Sequence, residues 1–300
     1  MKKDQAIVSV VIPNYNGESL IEKNLPHILS ARENIKNRIK EIIMVDDGSY
    51  DKSVKIIKNK FPEVRLIKHR VNRGFSASVN TGARSAKGSI MLLLNTDVIP
   101  QKNFLEKALK HFEDEKVFAV SLHEKGYGWA KGSFFDGYVQ LAKGAESKKE
   151  HISFYVSGGS GLFRRKLWMD LGGMDEKLLS PFYWEDIDIC YRAAKRGLKL
   201  LWEPSGTVLH KHESTIGKLS AGFVARVRER NQLLFVWKNI GSPTLTRRHI
   251  VGVLKRLAGH PGYLRVIIMA LTRLKLALRA REREIKESKV SDEVIFARFK

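Results

Sequence analysis

Polar and acidic side chains follow three apolar segments of the sequence, at spacings that could place them in one ligand site. LLLNTDVIP (residues 92–100) passes from three leucines to an Asn, a Thr and an Asp. In the same way IVSVVI leads into PNYN (residues 13–16), and EIIMV leads into DDGS (residues 46–49). One such stretch indicates only a turn, because these side chains bond the nearby backbone. Three of them indicate a binding edge, because ligands of open α/β sheets bind outside the carboxyl ends of strands.

A second group of ionisable residues lies later in the chain. WED (residues 184–186) opens a segment typical of a helix, where the helix dipole stabilises carboxylates. Taken alone, this motif indicates only ordinary N-terminal helix charge. VLHKHEST places His210 and His212 directly after a strand-like segment. The sequence contains no G-x-G-x-x-G or Walker loop, which excludes the usual dinucleotide and ATP cradles.

The elements that must position these residues alternate between strand and helix patterns. Strands are predicted at residues 7–12, 41–45, 64–68, 90–94 and 199–202, and helices at residues 18–32, 51–60, 75–85 and 182–197. Alternating strands and helices indicate parallel pairing with helices on the faces of the sheet. The strands are nearly all apolar, as strands buried on both faces are. Residues 123–150, rich in Gly, Lys and aromatic residues, are predicted to form a long loop that is either functional or mobile.

Composition narrows the class of protein. The 300 residues suit one large domain or one domain with an appendage. The single cysteine, Cys190, excludes an internal disulfide and fits a reducing compartment. A secretory signal and an uncharged run of about 20 apolar residues are both missing, so we expect a cytoplasmic protein without a membrane-spanning helix.

The net charge of +22 is distributed unevenly. Residues 217–300 hold 19 Lys and Arg against 6 Asp and Glu, and therefore more than half of the excess. This asymmetry indicates an anionic partner for the tail, either a membrane surface or nucleic acid. A solvated basic helix pair explains the same charge without a partner.

An ordered set of motifs resembles the family-2 glycosyltransferases of the GT-A fold, and among them the rhamnosyl- and galactofuranosyl-transferase branch. These motifs are VSVVIPNYN, VDDGS, NRGFSASVNTGAR, LLLNTDV, SGGSGLFRR, GGMDE, WEDIDICYR and His210. The resemblance implies an α/β GT-A fold, with a mostly parallel central sheet flanked by helices. It implies a catalytic domain at residues 1–216, followed by a basic helical C-terminal extension at residues 217–300.

The resemblance also implies a divalent cation, Mn²⁺ or Mg²⁺, that neutralises the leaving diphosphate of a nucleotide-sugar donor. Carboxylate and phosphate oxygens suit both ions. Asp97 and His210 are the implied metal ligands, with His212 as the alternative histidine. The family pattern has two acidic residues at the end of this strand, and here Asn95 occupies the first place without supplying charge.

Further roles follow from the same match. Asp186 is the implied general base and Glu185 the alternate base, and Trp184 and Glu185 are implied acceptor contacts. The implied donor contacts are Pro13, Tyr15, Asn16, Asp46, Asp47, Arg73, Asn95, Thr96 and Asp97.

The sequence therefore predicts an inverting, metal-dependent glycosyltransferase that acts on a glycan or lipid-linked acceptor hydroxyl. One alternative is a polyprenyl-phosphate sugar synthase, whose phosphate acceptor needs no general base. Another is a non-catalytic nucleic-acid-binding protein that uses its basic tail. A run of apolar residues between Leu264 and Leu278, flanked by arginines, predicts either peripheral binding to the inner face of the membrane or packing on the catalytic domain.

Overall fold

The computed structural model of the protein describes residues 6–210 and 219–300. Its centre is a nine-stranded sheet in the order β3-β2-β1-β4-β10-β6-β11-β5, with β9 paired to β11. The strands of this sheet are β1 (Val8–Asn14), β2 (Ile39–Asp46), β3 (Arg65–Lys68), β4 (Ile90–Leu94), β5 (Val98–Pro100), β6 (Val117–Glu124), β9 (His151–Ile152), β10 (Ser160–Arg164) and β11 (Lys199–His210).

Strand direction in this sheet confirms the prediction of a mostly parallel α/β fold. β3, β2, β1 and β4 are parallel neighbours, and β6 and β11 run in the same direction as these four. β10 lies antiparallel between β4 and β6, while β5 and β9 pair antiparallel with β11. The carboxyl ends of β1, β2 and β4 therefore meet at one edge, where the three polar segments of the sequence lie.

Helices cover both faces of the sheet and connect its parallel strands. Within the catalytic part they are α1 (Glu18–Glu33), α2 (Ser53–Lys60), α3 (Phe75–Ser85), α4 (Glu106–Lys110), α5 (Arg165–Asp170) and α6 (Glu185–Lys195). α3 packs closely on β1, since a Cβ atom at Gly82 would lie 2.2 Å from Cγ1 of Val11. Because glycine has no Cβ atom, α3 can lie close to β1. This contact also holds the start of α3, and with it the turn at Gly74.

The prediction of a long loop at residues 123–150 was wrong. β6 continues to Glu124, and a two-stranded hairpin follows, made of β7 (Ala130–Phe135) and β8 (Tyr138–Lys143). Asp136 and Gly137 form its turn with positive φ angles of 49° and 83°. An Asp-Gly pair is a strong hairpin signal because both residues tolerate this backbone region, and its presence in FFDGYV was the clue to the strands on either side.

Within residues 219–300, five α-helices follow the sheet: α7 (Ala221–Asn239), α8 (Pro243–Gly259), α9 (Leu264–Leu271), α10 (Leu274–Lys286) and α11 (Asp292–Ala297). They share one hydrophobic core with the catalytic part rather than forming a separate one. Among the described residues, none of the helices has the length and apolar content needed to cross a membrane.

The buried carboxylate of Asp188 joins the two parts of the chain. It accepts hydrogen bonds from Arg192 Nε at 2.8 Å, Lys238 Nζ at 2.9 Å and Asn239 Nδ2 at 2.8 Å. Burial opposes its ionisation, but Lys238 and Arg192 outweigh burial and lower the pKa of Asp188 to about 2. Because Asp188 and Arg192 lie on α6 whereas Lys238 and Asn239 lie on α7, the predicted extension is fixed to the helix that carries the WED motif.

The predicted apolar face between Leu264 and Leu278 does not pack on the catalytic part as a unit. The helix breaks between α9 and α10, and Val266, Ala270 and Ala277 form the buried contact instead. The larger apolar side chains of the predicted face, Leu264, Ile268, Leu271 and Leu278, are about half exposed.

The last helix should contribute measurably to the stability of the whole fold. Phe296 of α11 is buried and contacts the rings of Phe134, Phe154 and Tyr191. We expect Phe296→Ala to lower the free energy of unfolding by about 3–5 kcal/mol, the usual range for removing a core phenylalanine. Val294→Ala, on the exposed side of α11, should change it by about 0.5 kcal/mol or less. Chemical denaturation checks both, and equal small effects would contradict the packing of α11 on the core.

Candidate active site

A cavity of about 380 Å³ opens at the carboxyl ends of β1, β2 and β4. Six predicted donor contacts line it: Pro13, Tyr15, Asp47, Asn95, Thr96 and Asp97. Phe182, one of three consecutive aromatic residues that the sequence offered for stacking on a sugar, also lines it. Further lining residues that were given no role from the sequence are Leu20, Asn72, Phe75, Ser78, Leu219 and Phe223. One wall is thus polar and acidic and the other largely apolar, which suits a ligand with a charged part and a flat or apolar part.

Two buried oxygens in the cavity wall have no hydrogen-bond partner among the described residues. They are Oδ1 of Asn14 and Oγ of Ser78, on side chains that are 3% and 1% exposed. Buried polar atoms in folded proteins nearly always have a partner. The two oxygens are therefore unsatisfied polar atoms enclosed in the wall beside the cavity.

Asp97 and His210 lie together at the acidic end of the cavity. His210 Nε2 is 3.2 Å from Asp97 Oδ1, and His210 Nδ1 is 3.3 Å from Glu124 Oε2. Burial lowers the pKa of His210, but the hydrogen bonds to Asp97 and Glu124 outweigh burial and raise it to about 9. Sequence reasoning missed Glu124, whose only signal is its place after the apolar residues of β6. His212, the alternative histidine, lies outside the described residues.

The turn at Gly158 and Gly159 connects this acidic pair to the WED motif. Asn95 N donates to Gly159 O at 2.9 Å, and Gly158 N donates to Asp186 Oδ2 at 3.3 Å. A Cβ atom at Gly159 would lie 2.7 Å from Asn95 Nδ2 and 3.4 Å from His210 Cε1. A side chain at residue 159 would therefore displace the amide group of Asn95, so glycine leaves that amide in place beside the turn.

Glu185 and Asp186 are two adjacent carboxyl groups in a buried environment. Glu185 is 8% exposed, and its Oε2 has no hydrogen-bond partner among the described residues. Burial and the neighbouring Asp186 raise the pKa of Glu185 to about 8, so Glu185 is protonated at neutral pH. Burial also raises the pKa of Asp186, while backbone N–H groups, including that of Gly158, oppose the rise. The carboxyl groups of Glu185 and Asp186 thus have different environments, which suits them to different acid–base roles.

Asp47 lines the cavity, but its carboxylate is already extensively bonded. It accepts from Arg73 N at 2.9 Å, Gly74 N at 2.8 Å and the buried His69 ring at 2.7 Å. The other ring nitrogen of His69 lies 3.0 Å from Thr81 Oγ1. Asp47 therefore fixes the turn that leads into α3, and the oxygens it presents to the cavity are held rigidly.

Asp46 and Asn16 lie behind the cavity wall rather than in it. Asp46 is fully buried and accepts from Asn14 Nδ2 at 3.0 Å and Ser49 N at 3.1 Å. Asn16, with a φ of 51°, accepts from Tyr50 N at 3.0 Å. Both residues join the loops after β1 and β2, so the structure shows them as supports of the cavity.

Arg73 and Trp184 are not among the described residues that line the cavity. The Arg73 guanidinium pairs with Glu176 at 3.1 Å and is 46% exposed. The Trp184 ring is buried and packs on Phe235 of α7, 5.1 Å between centroids. Phe182, two residues earlier, lines the cavity in its place and meets Phe223 edge to face.

One other group of described residues could ligate a metal: His111, Glu150 and Glu203. His111 Nε2 is 2.7 Å from Glu203 Oε2, and this hydrogen bond raises the pKa of His111. The group lies outside the cavity lining, and Glu203 precedes His210 by seven residues along β11. By ligand type, the carboxylate of Asp97 suits Mn²⁺ or Mg²⁺ and the imidazole of His210 suits Mn²⁺, whereas Glu124 contacts the opposite ring nitrogen of His210.

Comparison with known proteins gives the family. Residues 9–171 match the family described as Glycosyl transferase family 2, and the chain belongs to that family. A curated relative is the pre-mycofactocin glycosyltransferase of Mycobacterium tuberculosis strain CDC 1551, 27% identical over 219 residues. That match covers 70% of this chain but only 43% of the relative, so the chain spans less than half of the relative's length.

Two solved structures share the fold. GalNAc-T7 with UDP, GalNAc and Mn²⁺ has a TM-score of 0.65 at 18% identity, covering 80% of this chain and 49% of that one. The mannosyltransferase PcManGT from Pyrobaculum calidifontis, in complex with GDP-Man and Mn²⁺, has a TM-score of 0.57 at 17% identity, covering 94% and 86%. These likenesses confirm the predicted fold class.

The pKa of Glu185 predicts a pH dependence of stability. The carboxyl has an ordinary value of 4.5 when unfolded and about 8 when folded. Between these values the folded state binds the extra proton, so the free energy of unfolding falls as pH rises, by up to about 1.4 kcal/mol per unit. Glu185→Gln should remove this loss, and the variant should gain stability relative to wild type from pH 5 to pH 8.

Denaturant titrations of metal-free protein across this pH range provide the measurement. Glu63→Gln, an exposed carboxyl of the loop before β3, is the matched control and should follow the wild-type profile. Parallel profiles for wild type and Glu185→Gln would contradict a protonated Glu185.

Proposed function

We propose that this protein is an inverting glycosyltransferase that moves a sugar from a nucleoside-diphosphate donor to a hydroxyl of a glycan or lipid-linked acceptor. The observation that carries the proposal is the turn at Gly158 and Gly159, which contacts Asn95 beside Asp97 and His210 on one side and Asp186 on the other. One turn therefore joins the proposed diphosphate-binding residues to the proposed general base, which lies outside the cavity lining.

The cavity supports a nucleotide as the donor's leaving part. Tyr15 and Asp47 both line the cavity, and we assign them to the base and ribose of the donor. Phe75, Phe182 and Phe223 form the apolar wall, and Asn14 and Ser78 supply buried acceptors. The related folds in complex with UDP or GDP-Man support the same ligand class here.

Asp97 and His210 are the proposed metal ligands, with Glu124 beside them. A bound Mn²⁺ or Mg²⁺ would supply positive charge to the leaving diphosphate. His210 must lose its proton to ligate, because metal-binding imidazole is neutral. Without a metal, the charged His210 holds the two carboxylates together at 3.2 and 3.3 Å. With Asn95 in place of a second aspartate, the site carries less negative charge than the family pattern.

Asp186 is the proposed general base. It takes the proton of the acceptor hydroxyl as that oxygen attacks the sugar carbon opposite the leaving diphosphate, which inverts the configuration. Its carboxylate is oriented by Gly158 N and by its own helix N-terminus. Glu185, protonated at neutral pH, is suited to donate a hydrogen bond to the acceptor rather than to remove a proton.

The two alternative functions differ in what the site must do. In a polyprenyl-phosphate sugar synthase, the acceptor attacks the sugar through an ionised phosphate oxygen. Asp186 would then have no proton to remove. A non-catalytic nucleic-acid-binding protein has no use for a cavity lined by Asp47 and Asp97, because these carboxylates repel phosphate unless a metal intervenes. Membership of a transferase family also favours the enzymatic function.

Asp97→Ala should abolish the metal-dependent part of nucleotide binding, since the variant loses the carboxylate of the proposed metal pair. Calorimetry with UDP and GDP, each with and without Mn²⁺, measures it. Asp170→Ala, which removes an exposed carboxylate at the end of α5, should bind like wild type. Unchanged Mn²⁺-dependent binding by Asp97→Ala would place the metal elsewhere.

Asp186→Asn should reduce turnover by roughly 10²–10⁴, the usual contribution of a positioned general base. The substrate is the nucleotide sugar that gives the largest thermal shift with Mn²⁺ in a screen. The affinity for the donor should equal that of wild type within experimental error, because the proposed donor contacts lie at the ends of β1, β2 and β4, whereas Asp186 lies at the start of α6. Near-normal turnover would remove Asp186 from the base role and favour a phosphate acceptor.

A further inference from the structure

The charge of the C-terminal helices is one-sided over a long stretch. Residues 230–281 contain no Asp or Glu, whereas Lys and Arg occur eleven times. Five of these cations are used inside the fold. Lys238 bonds Asp188, Arg256 pairs with Glu229, and Arg230, Arg273 and Arg281 donate to backbone carbonyls. The other six lie on α8, α9 and α10: Arg247, Arg248, Lys255, Arg265, Lys275 and Arg279.

α8 presents an unusual face to solvent. Its buried residues are Leu245, His249 and Gly252, whereas Ile250, Val251 and Leu254 are 55%, 51% and 61% exposed. Helical positions 247, 250, 251, 254 and 255 lie on one side of the helix because they are spaced by three or four residues. The exposed side of α8 thus has apolar residues at its centre and the cations Arg247 and Lys255 at its two ends.

The tip of the β7–β8 hairpin completes a pocket against this face. The pocket has a volume of about 310 Å³ and is lined by Phe135, Asp136, Gly137, Arg247, Arg248, Val251, Gly252 and Lys255. Three cations and one carboxylate give it a net charge of +2. Phe135 is 62% exposed at its rim, so the pocket is bordered by apolar side chains on both the hairpin and the helix.

The pocket is held by close packing rather than by loose loops. A Cβ atom at Gly252 would lie 2.3 Å from Asp136 O, and one at Gly137 would lie 2.6 Å from Arg248 O. The buried His249 lies between them, with Nδ1 2.7 Å from Gly137 O and Nε2 accepting from Trp237 Nε1 at 3.0 Å. The hairpin tip and α8 therefore form one rigid unit, and the cations around it are held close together.

We propose that this unit is a membrane-binding surface: the pocket of Arg247, Arg248 and Lys255 takes the phosphate of an anionic lipid, and Phe135, Ile250, Val251 and Leu254 enter the interface beside it. Exposed apolar residues flanked by cations are the pattern of a protein that lies on an anionic bilayer without crossing it. This surface combines α8 of the basic tail with the hairpin, and it lies outside the apolar run between Leu264 and Leu278 that the sequence indicated.

Charge and apolar exposure together favour a lipid over the other occupants of such a surface. Nucleic acid binds to cations, but the exposed aliphatic side chains of Ile250, Val251 and Leu254 add nothing to that binding. A second copy of the chain would cover the apolar residues but would bring a second set of like charges against Arg247, Arg248 and Lys255. An anionic bilayer can bind the cations through its phosphates and bury the exposed apolar residues at the same time.

Co-sedimentation of the full chain with vesicles of phosphatidylglycerol and phosphatidylcholine tests the proposal at low salt. Intact protein should bind these vesicles and ignore pure phosphatidylcholine. R247Q/R248Q/K255Q should partition on the order of 100-fold more weakly, from about fivefold per cation near the surface. The matched control K55Q/K58Q/K110Q removes three exposed lysines from α2 and α4 and should lose about fivefold or less.

I250S/L254S separates the occupants, since it keeps every charge. A bilayer predicts weaker vesicle binding that is most evident at raised salt, with unchanged binding of a random RNA. Three results overturn the proposal: intact protein that ignores anionic vesicles, equal losses in the two charge triples, or a dimer in solution that only I250S/L254S dissociates. Circular dichroism and nucleotide-sugar hydrolysis should match wild type in all variants, so failure here leaves the proposed transferase activity unaffected.

Discussion

The backbone turn at Gly158 and Gly159 is the constraint on which the candidate site depends. Its carbonyl holds the chain just after β4 through Asn95 N, and its amide bonds Asp186 on the other side. The glycine at residue 159 leaves room for the side chain of Asn95, since a Cβ atom there would lie 2.7 Å from Asn95 Nδ2. The groups proposed to hold the diphosphate and to activate the acceptor are therefore kept together by main-chain contacts that tolerate little movement.

The fold supports that turn from two sides. β10 follows it directly and lies antiparallel between β4 and β6, so the turn is anchored in the middle of the sheet. α6 carries Asp186 and is fixed to α7 by the buried carboxylate of Asp188. Asn231 of α7 also donates to the carbonyls of Leu179, Phe182 and Tyr183, which lead into α6. The C-terminal helices thus act as structural support for the catalytic residues.

The sequence predicted the strand–helix alternation, the parallel half of the sheet and the polar strand ends, because apolar strands and local turn signals carry that information. It could not reveal that Trp184 faces the core while Phe182 faces the cavity, since the left-handed turn at residues 183 and 184 decides the direction of both rings. Glu124 and Phe223 were missed because their role depends on long-range packing, which no local pattern encodes. The hairpin at residues 130–143 was missed because its lysines and glycines outweighed its Asp-Gly turn in the sequence pattern.

The central claim is that one site combines a metal at Asp97 and His210 with the carboxylate of Asp186. Anomalous diffraction from crystals soaked with Mn²⁺ and a nucleoside diphosphate tests it most directly. The account predicts an anomalous peak within coordination distance of Asp97, with nucleotide density in the cavity between Tyr15 and the Gly158–Gly159 turn. A peak confined to His111, Glu150 and Glu203, with no nucleotide beside Asp97, would contradict it.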